Sequence, residues 1–400
     1  MRFSKHGTIT PSAILAINSL ALAKKKQGIR VYNLSAGEPF IATHPAVRET
    51  AEEAMRGGKT QYPPVEGIPE LRQAVSAWMN RKYQSEFQTE HVLVSCGGKS
   101  ALYLSCQALI NPDDEVLIPT PAWVSYGAIV KLCGGVPVFV GTRETGNWKL
   151  SARGGSALGG EIEEIENLKN ICSSKTKMLI LNNASNPTGV LYTKEEIREI
   201  LDFAKKKNLI VISDEVYSGL VYDGREYVSC ASFPEFQDSV VVIQSCSKHF
   251  AMTGWRVGFA LGSRELIDAV VALQGQETSG TSSISQWAAV GAFAHADEIQ
   301  EIVRGTMQTR RDVFVQALSD QFGAHITPPL SALYSFLPLS SFGVSDTDDV
   351  LFCRRTLEEA NVAMVPGSAF GAPGYVRCSF GAEEKEITEG IKTLAAYCKK

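Results

Sequence analysis

No apolar run in this 400-residue chain approaches the ~20 residues needed to span a bilayer. Its nine cysteines are odd in number and scattered, and no two stand as C-x-x-C, so neither a zinc ribbon nor a dithiol redox motif is offered. Such cysteines predict buried, reduced thiols in a cytoplasmic protein. The six histidines are isolated, with no H-E-x-x-H pair, and no protein-held metal is expected. The sequence has no two glycines spaced G-x-G, which removes the dinucleotide fingerprint. With 39 basic against 43 acidic residues the net charge is −4, which does not suit a nucleic-acid binder.

What is there is an ordinary globular composition, 44% apolar and 20% charged, long enough for a large core split between two domains. Near the N-terminus Ser12–Ala23 follows basic residues and ends in Ala-x-Ala, imitating a secretory signal. Asn18 and Ser19 interrupt it and Lys24-Lys25-Lys26 follows, so a helix started by Pro11 and packed on the body of the protein is expected instead.

Short apolar runs at His91–Val94, Glu115–Ile118, Val136–Val140, Met178–Leu181, Leu209–Ser213, Val240–Gln244 and Val257–Leu261 alternate with amphipathic stretches such as Lys194–Lys207. Continuous Val/Ile/Leu strands separated by helices predict an α/β fold, with a mainly parallel central sheet buried between helices. Ser151–Gly160, with four glycines, reads as a surface loop. After about residue 285 the pattern turns more helical, with weaker strands near Tyr334–Leu337 and Tyr375–Ser379. The expected organisation is a large domain over 48–285 and a smaller α/β domain over 286–400, joined by the N-terminal segment 1–47.

Ligands of open parallel sheets bind beyond the carboxyl ends of the strands. Five predicted strands run there into residues that a plain connection does not need: Ser95-Cys96-Gly97-Gly98-Lys99-Ser100, Pro119-Thr120-Pro121-Ala122-Trp123, Asn182 through Gly189, Asp214-Glu215, and Ser245-Cys246-Ser247-Lys248. They should converge on one pocket. The glycine turn before Ser100–Leu109 could offer a helix N-terminus to a phosphate, or be a simple tight turn. Lys248, if crowded and partly buried, could be a Schiff-base nucleophile; otherwise it is a solvated lysine. Asp214, at the end of a buried strand, needs a cation or strong donors, and a salt bridge would serve.

Taken together, these segments resemble the class I pyridoxal-phosphate aminotransferases of fold type I. The motifs are Asn33-Leu34-Ser35-Ala36-Gly37-Glu38-Pro39, Tyr62-Pro63-Pro64-Val65-Glu66-Gly67, Gly97-Gly98-Lys99-Ser100-Ala101-Leu102, Asn186-Pro187-Thr188-Gly189, Ser213-Asp214-Glu215-Val216-Tyr217, Ser245 through Gly258, and Val376-Arg377-Cys378-Ser379-Phe380. They come in family order and span nearly the whole chain.

The resemblance implies pyridoxal 5′-phosphate as cofactor, amino acids and 2-oxo acids as substrates, and a homodimer with shared sites. In that scheme Lys248 forms the Schiff base with the cofactor and later moves the proton. Asp214 keeps the pyridine nitrogen protonated, so that the ring acts as an electron sink. Tyr217 and Asn186 hydrogen-bond the ring O3′, and Trp123 stacks on the ring. The main-chain N–H groups of Gly98 and Lys99, with Ser245 and Arg256, hold the phosphate, and Tyr62 reaches it from the neighbouring subunit. Arg377 clamps the substrate α-carboxylate, helped by Asn186 and the Gly37 main chain.

The subgroup with a Gly-Gly-Lys phosphate loop is the most similar, and it turns its lysine side chain, here Lys99, toward a distal carboxylate. Gly275–Gln286 holds no arginine that could do this from a partner subunit. An acidic amino acid, aspartate, is therefore the expected donor, with 2-oxoglutarate as acceptor. An aromatic or broad-range aminotransferase, including prephenate, is the alternative, and a carbon–sulfur β-lyase a further one. Relatives that take prephenate often carry Thr where this chain has Ile14, which lowers that option.

Overall fold

The computed structural model describes residues 13–144, 147–150 and 171–399. The continuous apolar runs become a seven-stranded sheet: β2 (Val92–Ser95), β3 (Glu115–Thr120), β4 (Val136–Gly141), β5 (Thr176–Asn182), β6 (Ile210–Asp214), β7 (Val240–Ser245) and β8 (Gly258–Leu261). Their order is β2-β8-β7-β6-β5-β3-β4. Only β8 runs antiparallel to its neighbours, β2 and β7, so the other six point the same way and end on one edge.

Burial on both faces explains the uniform apolar character of the inner strands. One face packs Leu93, Ile118, Ile180, Ile212 and Ile243 beneath the helices Gly98–Leu109 and Arg264–Glu277. The other packs Val94, Leu117, Leu181, Val211, Val242 and Phe259 into the main core. Each helix follows its strand for local reasons as well. Lys194–Lys206, for example, starts on a capping box in which Thr193 and Glu196 satisfy each other's backbone N–H.

Beyond the sheet the chain forms a long helix, Ala296–Phe322, and a three-stranded antiparallel sheet of β11 (Val365–Pro366), β12 (Tyr375–Ser379) and β9 (Tyr334–Pro338). The N-terminal segment is tied to this part twice. A short strand, β1 (Tyr32–Asn33), pairs in parallel with β10 (Val362–Ala363). The Lys24 ammonium donates to Leu357 O (2.8 Å), Glu358 O (2.9 Å) and Asn361 Oδ1 (2.7 Å), covering the carbonyl end of the helix Asp349–Glu359.

Two-residue strands carry no readable period, so β1, β10 and β11 have no counterpart among the sequence expectations. The helix after β2 begins at Gly98, two residues before the expected Ser100. Pro11, Ser12 and Ser151–Gly160 lie outside the described residues. Among the described residues no helix is long and apolar enough to cross a membrane.

Candidate active site

At the carboxyl end of β2 the chain turns through Gly97 (φ 81°) straight into a helix whose first turn has no acidic residue. The turn presses against the start of β8. A Cβ on Gly258 would sit 2.2 Å from Gly98 N, so only glycine permits the approach. The Arg256 guanidinium lies on the same turn, where a Cβ on Gly97 would meet its Nη2 at 2.5 Å. Its Nη1 donates to Thr253 O at 2.8 Å. Ser245 closes β7, and its hydroxyl accepts from Ser247 N (3.1 Å) and reaches Val257 O at 3.1 Å. Free N–H groups at a helix start, a hydroxyl and a guanidinium make this end of the site an anion cradle.

Asp214 ends β6 and is buried. Tyr126 Oη donates to its Oδ2 at 2.6 Å and Val216 N to its Oδ1 at 3.4 Å. Both donors are neutral, and burial pushes the carboxyl up to about 6 despite them. The carboxylate therefore lacks a cation. Lys248 stands one strand away, on the short helix Cys246–His249, and donates to Gly37 O. Burial, outweighing the pull of Glu38, lowers its ammonium to about 8, and Arg256 and Arg377 push the same way. A lysine in this state has an available lone pair near neutral pH.

Arg377, on β12, is almost completely buried (1% exposed) and makes no ion pair among the described residues. Its Nη1 donates to Asn186 Oδ1 at 3.1 Å and its Nη2 to Ser35 O at 2.7 Å, while Nε has no partner. The guanidinium lies over the Tyr334 ring, 4.1 Å from its centroid. On the helix after β2 the Lys99 ammonium sits 4.7 Å from the Trp123 ring centroid. Burial, then Arg256, lowers its pKa.

These groups line one cleft. Gly37, Gly98, Lys99, Trp123, Asn186, Asp214, Tyr217, Ser245, Lys248, Arg256 and Arg377 all face it, so every sequence-predicted site residue except Tyr62 is brought together. Tyr62 lies apart on the surface, 91% exposed. Tyr126, Thr253 and Tyr334 also line the cleft and were not singled out by the sequence. Tyr126 stands three residues after Trp123, in the first turn of the helix Ser125–Leu132 that follows β3, and that nearness is the signal that could have found it.

Pyridoxal phosphate fits this donor set. The anion cradle suits its phosphate, and the cation-deficient Asp214 suits a protonated pyridine nitrogen. The deprotonatable Lys248 suits its aldehyde, while the unpaired Arg377 is left for a carboxylate.

Comparison with known proteins agrees. Residues 29–394 match the family described as "Aminotransferase class I and II". The chain is 37% identical to the aspartate aminotransferase of Bacillus sp. (strain YM-2), over 98% of this chain and 97% of that one. It is 34% identical to the probable aspartate/prephenate aminotransferase of Aquifex aeolicus, over 98% and 97%. Its fold superposes on the aspartate aminotransferase from Thermus thermophilus with maleate at a TM-score of 0.90, with 33% identity, covering 99% of this chain and 100% of that one. Sequence, fold and cleft thus agree over the full length, and the chain belongs to the class I and II aminotransferases, enzymes that depend on pyridoxal phosphate.

Proposed function

We propose that this aminotransferase moves the amino group of an acidic amino acid, aspartate, to 2-oxoglutarate in a ping-pong cycle. The observation that carries the substrate class is a pair of cations. Arg377, on β12, and Lys99, on the helix after β2, both line one cleft, and neither has an acidic partner among the described residues. A dicarboxylate can satisfy both. The names of the Bacillus and Thermus relatives, and the maleate in the latter, support the same class.

In this reading Arg377 and Asn186 grip the α-carboxylate, with the Gly37 main chain closing on it, and Lys99 takes the distal one. Pyridoxal phosphate held there would supply an electron sink for the pair released at the substrate Cα. Asp214 holds the proton on the ring nitrogen, and Tyr126 keeps that carboxylate in place. Lys248 Nζ takes the proton from Cα and returns it on the other side of the transfer. Tyr217 and Asn186 hydrogen-bond the ring O3′, and Trp123 covers the ring. Gly98, Lys99, Ser245 and Arg256 hold the phosphate by their N–H groups, hydroxyl and guanidinium.

Lys99→Ala tests the substrate reading. Losing one charge-assisted contact to the partly exposed Lys99 ammonium should cost ~1.5–3 kcal/mol of transition-state binding for aspartate and little for alanine or phenylalanine. A panel of amino donors with 2-oxoglutarate measures it through kcat/KM. Equal losses across the panel would mean that Lys99 only supports the phosphate, and would favour the aromatic or broad-range alternative. Pyruvate release without amino transfer would mark a β-lyase.

The proposal includes a homodimer in which Tyr62 completes the partner's phosphate site, which its exposure leaves it able to do. Tyr62→Phe should weaken cofactor retention by ~1.5–3 kcal/mol, the worth of one charge-assisted hydrogen bond. An active monomer in the ultracentrifuge would refute the shared site. A division into segment 1–47, large domain 48–285 and small domain 286–400, and residence in the cytoplasm, complete the proposal. The β1–β10 pairing supports the first, and the scattered single cysteines support the second.

A further inference from the structure

We propose that Tyr334 is a positioning residue for the cofactor's ring oxygen: its hydroxyl donates to Tyr217 and so commits the Tyr217 proton to that oxygen. The inference rests on the reading above that Tyr217 faces the ring O3′.

Tyr334 opens β9, where pairing with Ser379 on β12 fixes its backbone two residues from the Arg377 pairing. Its ring is held on three sides. The Arg377 guanidinium covers one face, the Tyr217 ring meets it at 75° with centroids 5.8 Å apart, and Gly37 abuts its hydroxyl. A Cβ on Gly37 would come within 2.4 Å of that oxygen, so the glycine is what lets the phenol in. The two phenolic oxygens are 2.8 Å apart, and both side chains are buried.

Counting protons then decides the direction. Each phenol has one proton to give. If Tyr217 gave its proton to Tyr334, nothing would remain for the ring oxygen. An anionic oxygen beside Tyr217 takes that proton, so Tyr334 must be the donor of the pair. Burial, with Tyr334 alongside, pushes the Tyr217 phenol well above its ordinary pKa, so it stays a neutral donor. Hydrogen bonds in series polarise one another, and a Tyr217 that accepts from Tyr334 gives its own proton more strongly.

The consequence is a shift in a titration. Donation to the ring oxygen stabilises the form in which the Lys248-bound cofactor has lost its proton, so it lowers the midpoint. Removing donation raises it. The charged and titratable groups facing this centre are Asp214 from β6, Tyr126 and Lys99 from the helices after β3 and β2, Arg256 before β8, Arg377 from β12, and Glu38 after β1. All are unchanged in Tyr334→Phe, which also keeps the ring under Arg377.

The experiment is a pH titration of the visible absorbance of the resting holoenzyme. Tyr217→Phe should raise the midpoint by about 1 unit or more, and Tyr334→Phe by ~0.3 unit, the share expected of a cooperative second bond. In the Tyr217→Phe background, Tyr334→Phe should add nothing. Replacing Tyr334 by 3-fluorotyrosine, a stronger donor, should lower the midpoint and keeps the test open should the phenylalanine variant fail to fold. A shift with Tyr217→Phe but none with either Tyr334 change overturns the relay and leaves the site reading intact. No shift with Tyr217→Phe removes Tyr217 from the ring oxygen, and the relay with it. Equal Tyr334→Phe shifts in both backgrounds mean that Tyr334 acts without Tyr217, which also overturns the proposal.

Discussion

Lys248→Ala should abolish turnover, by a factor on the order of 10⁴ or more, while leaving a folded protein. The size follows from the two roles proposed for Lys248, both lost at once: the covalent attachment of the cofactor and the proton transfer at the substrate Cα. No other described amine shares the position. Lys99 lies over the Trp123 ring, and the two arginines lining the cleft cannot deprotonate. Folding should survive because the substitution removes a half-buried amine whose surroundings already disfavour its charge and whose hydrogen bond goes to Gly37 O. The variant should lack the visible absorbance of the wild type and keep its thermal transition. Borohydride reduction of the wild-type holoenzyme, followed by peptide mapping, should mark Lys248. A mark on any other lysine would end this reading of the site.

The physics that made parts of this molecule readable differs from part to part. Strands β3, β5, β6 and β7 are buried on both faces, so their sequences run apolar without alternation and stand out against the helices between them. β11 is two residues long and exists because β12 pairs with it, an interaction no local pattern records. For the site, each motif by itself left alternatives: Lys248 could have been solvated and Asp214 salt-bridged. The structure narrows both, since Lys248 is half-buried in the cleft and Asp214 meets only neutral donors. Tyr126 and Tyr334 escaped because a lone tyrosine in an apolar segment, Ser125–Leu132 or Tyr334–Pro338, looks like core. Their hydroxyls acquire meaning only from Asp214 Oδ2 and Tyr217 Oη, which come from distant parts of the chain.

Asp214→Asn should have opposite effects with and without cofactor, and that reversal is the sharpest test of its role. In the proposed role the substitution would leave the ring nitrogen of the loaded enzyme without an anionic partner. Pre-organised charges of this kind commonly supply several kcal/mol, so turnover should fall on the order of 10²-fold or more, with cofactor affinity falling less. Without cofactor the sign changes. The Asp214 carboxyl is raised from 3.8 to about 6 on folding, chiefly by burial. A group raised in this way favours the fold fully below pH 3.8 and loses that contribution as pH rises through about 6. Above that pH the cofactor-free protein therefore holds an ionised, cation-deficient carboxylate at a cost of about 3 kcal/mol. Asparagine keeps an acceptor for Tyr126 and has no charge to bury. The cofactor-free variant should then unfold at a higher temperature than the wild type at pH 8, and the advantage should vanish near pH 4. Thermal unfolding at the two pH values, beside steady-state rates of the loaded enzymes, measures both halves. A structural role for Asp214 predicts a cofactor-free variant less stable than the wild type at pH 8. That outcome, or near-normal turnover with stoichiometric cofactor, would remove Asp214 from the ring nitrogen.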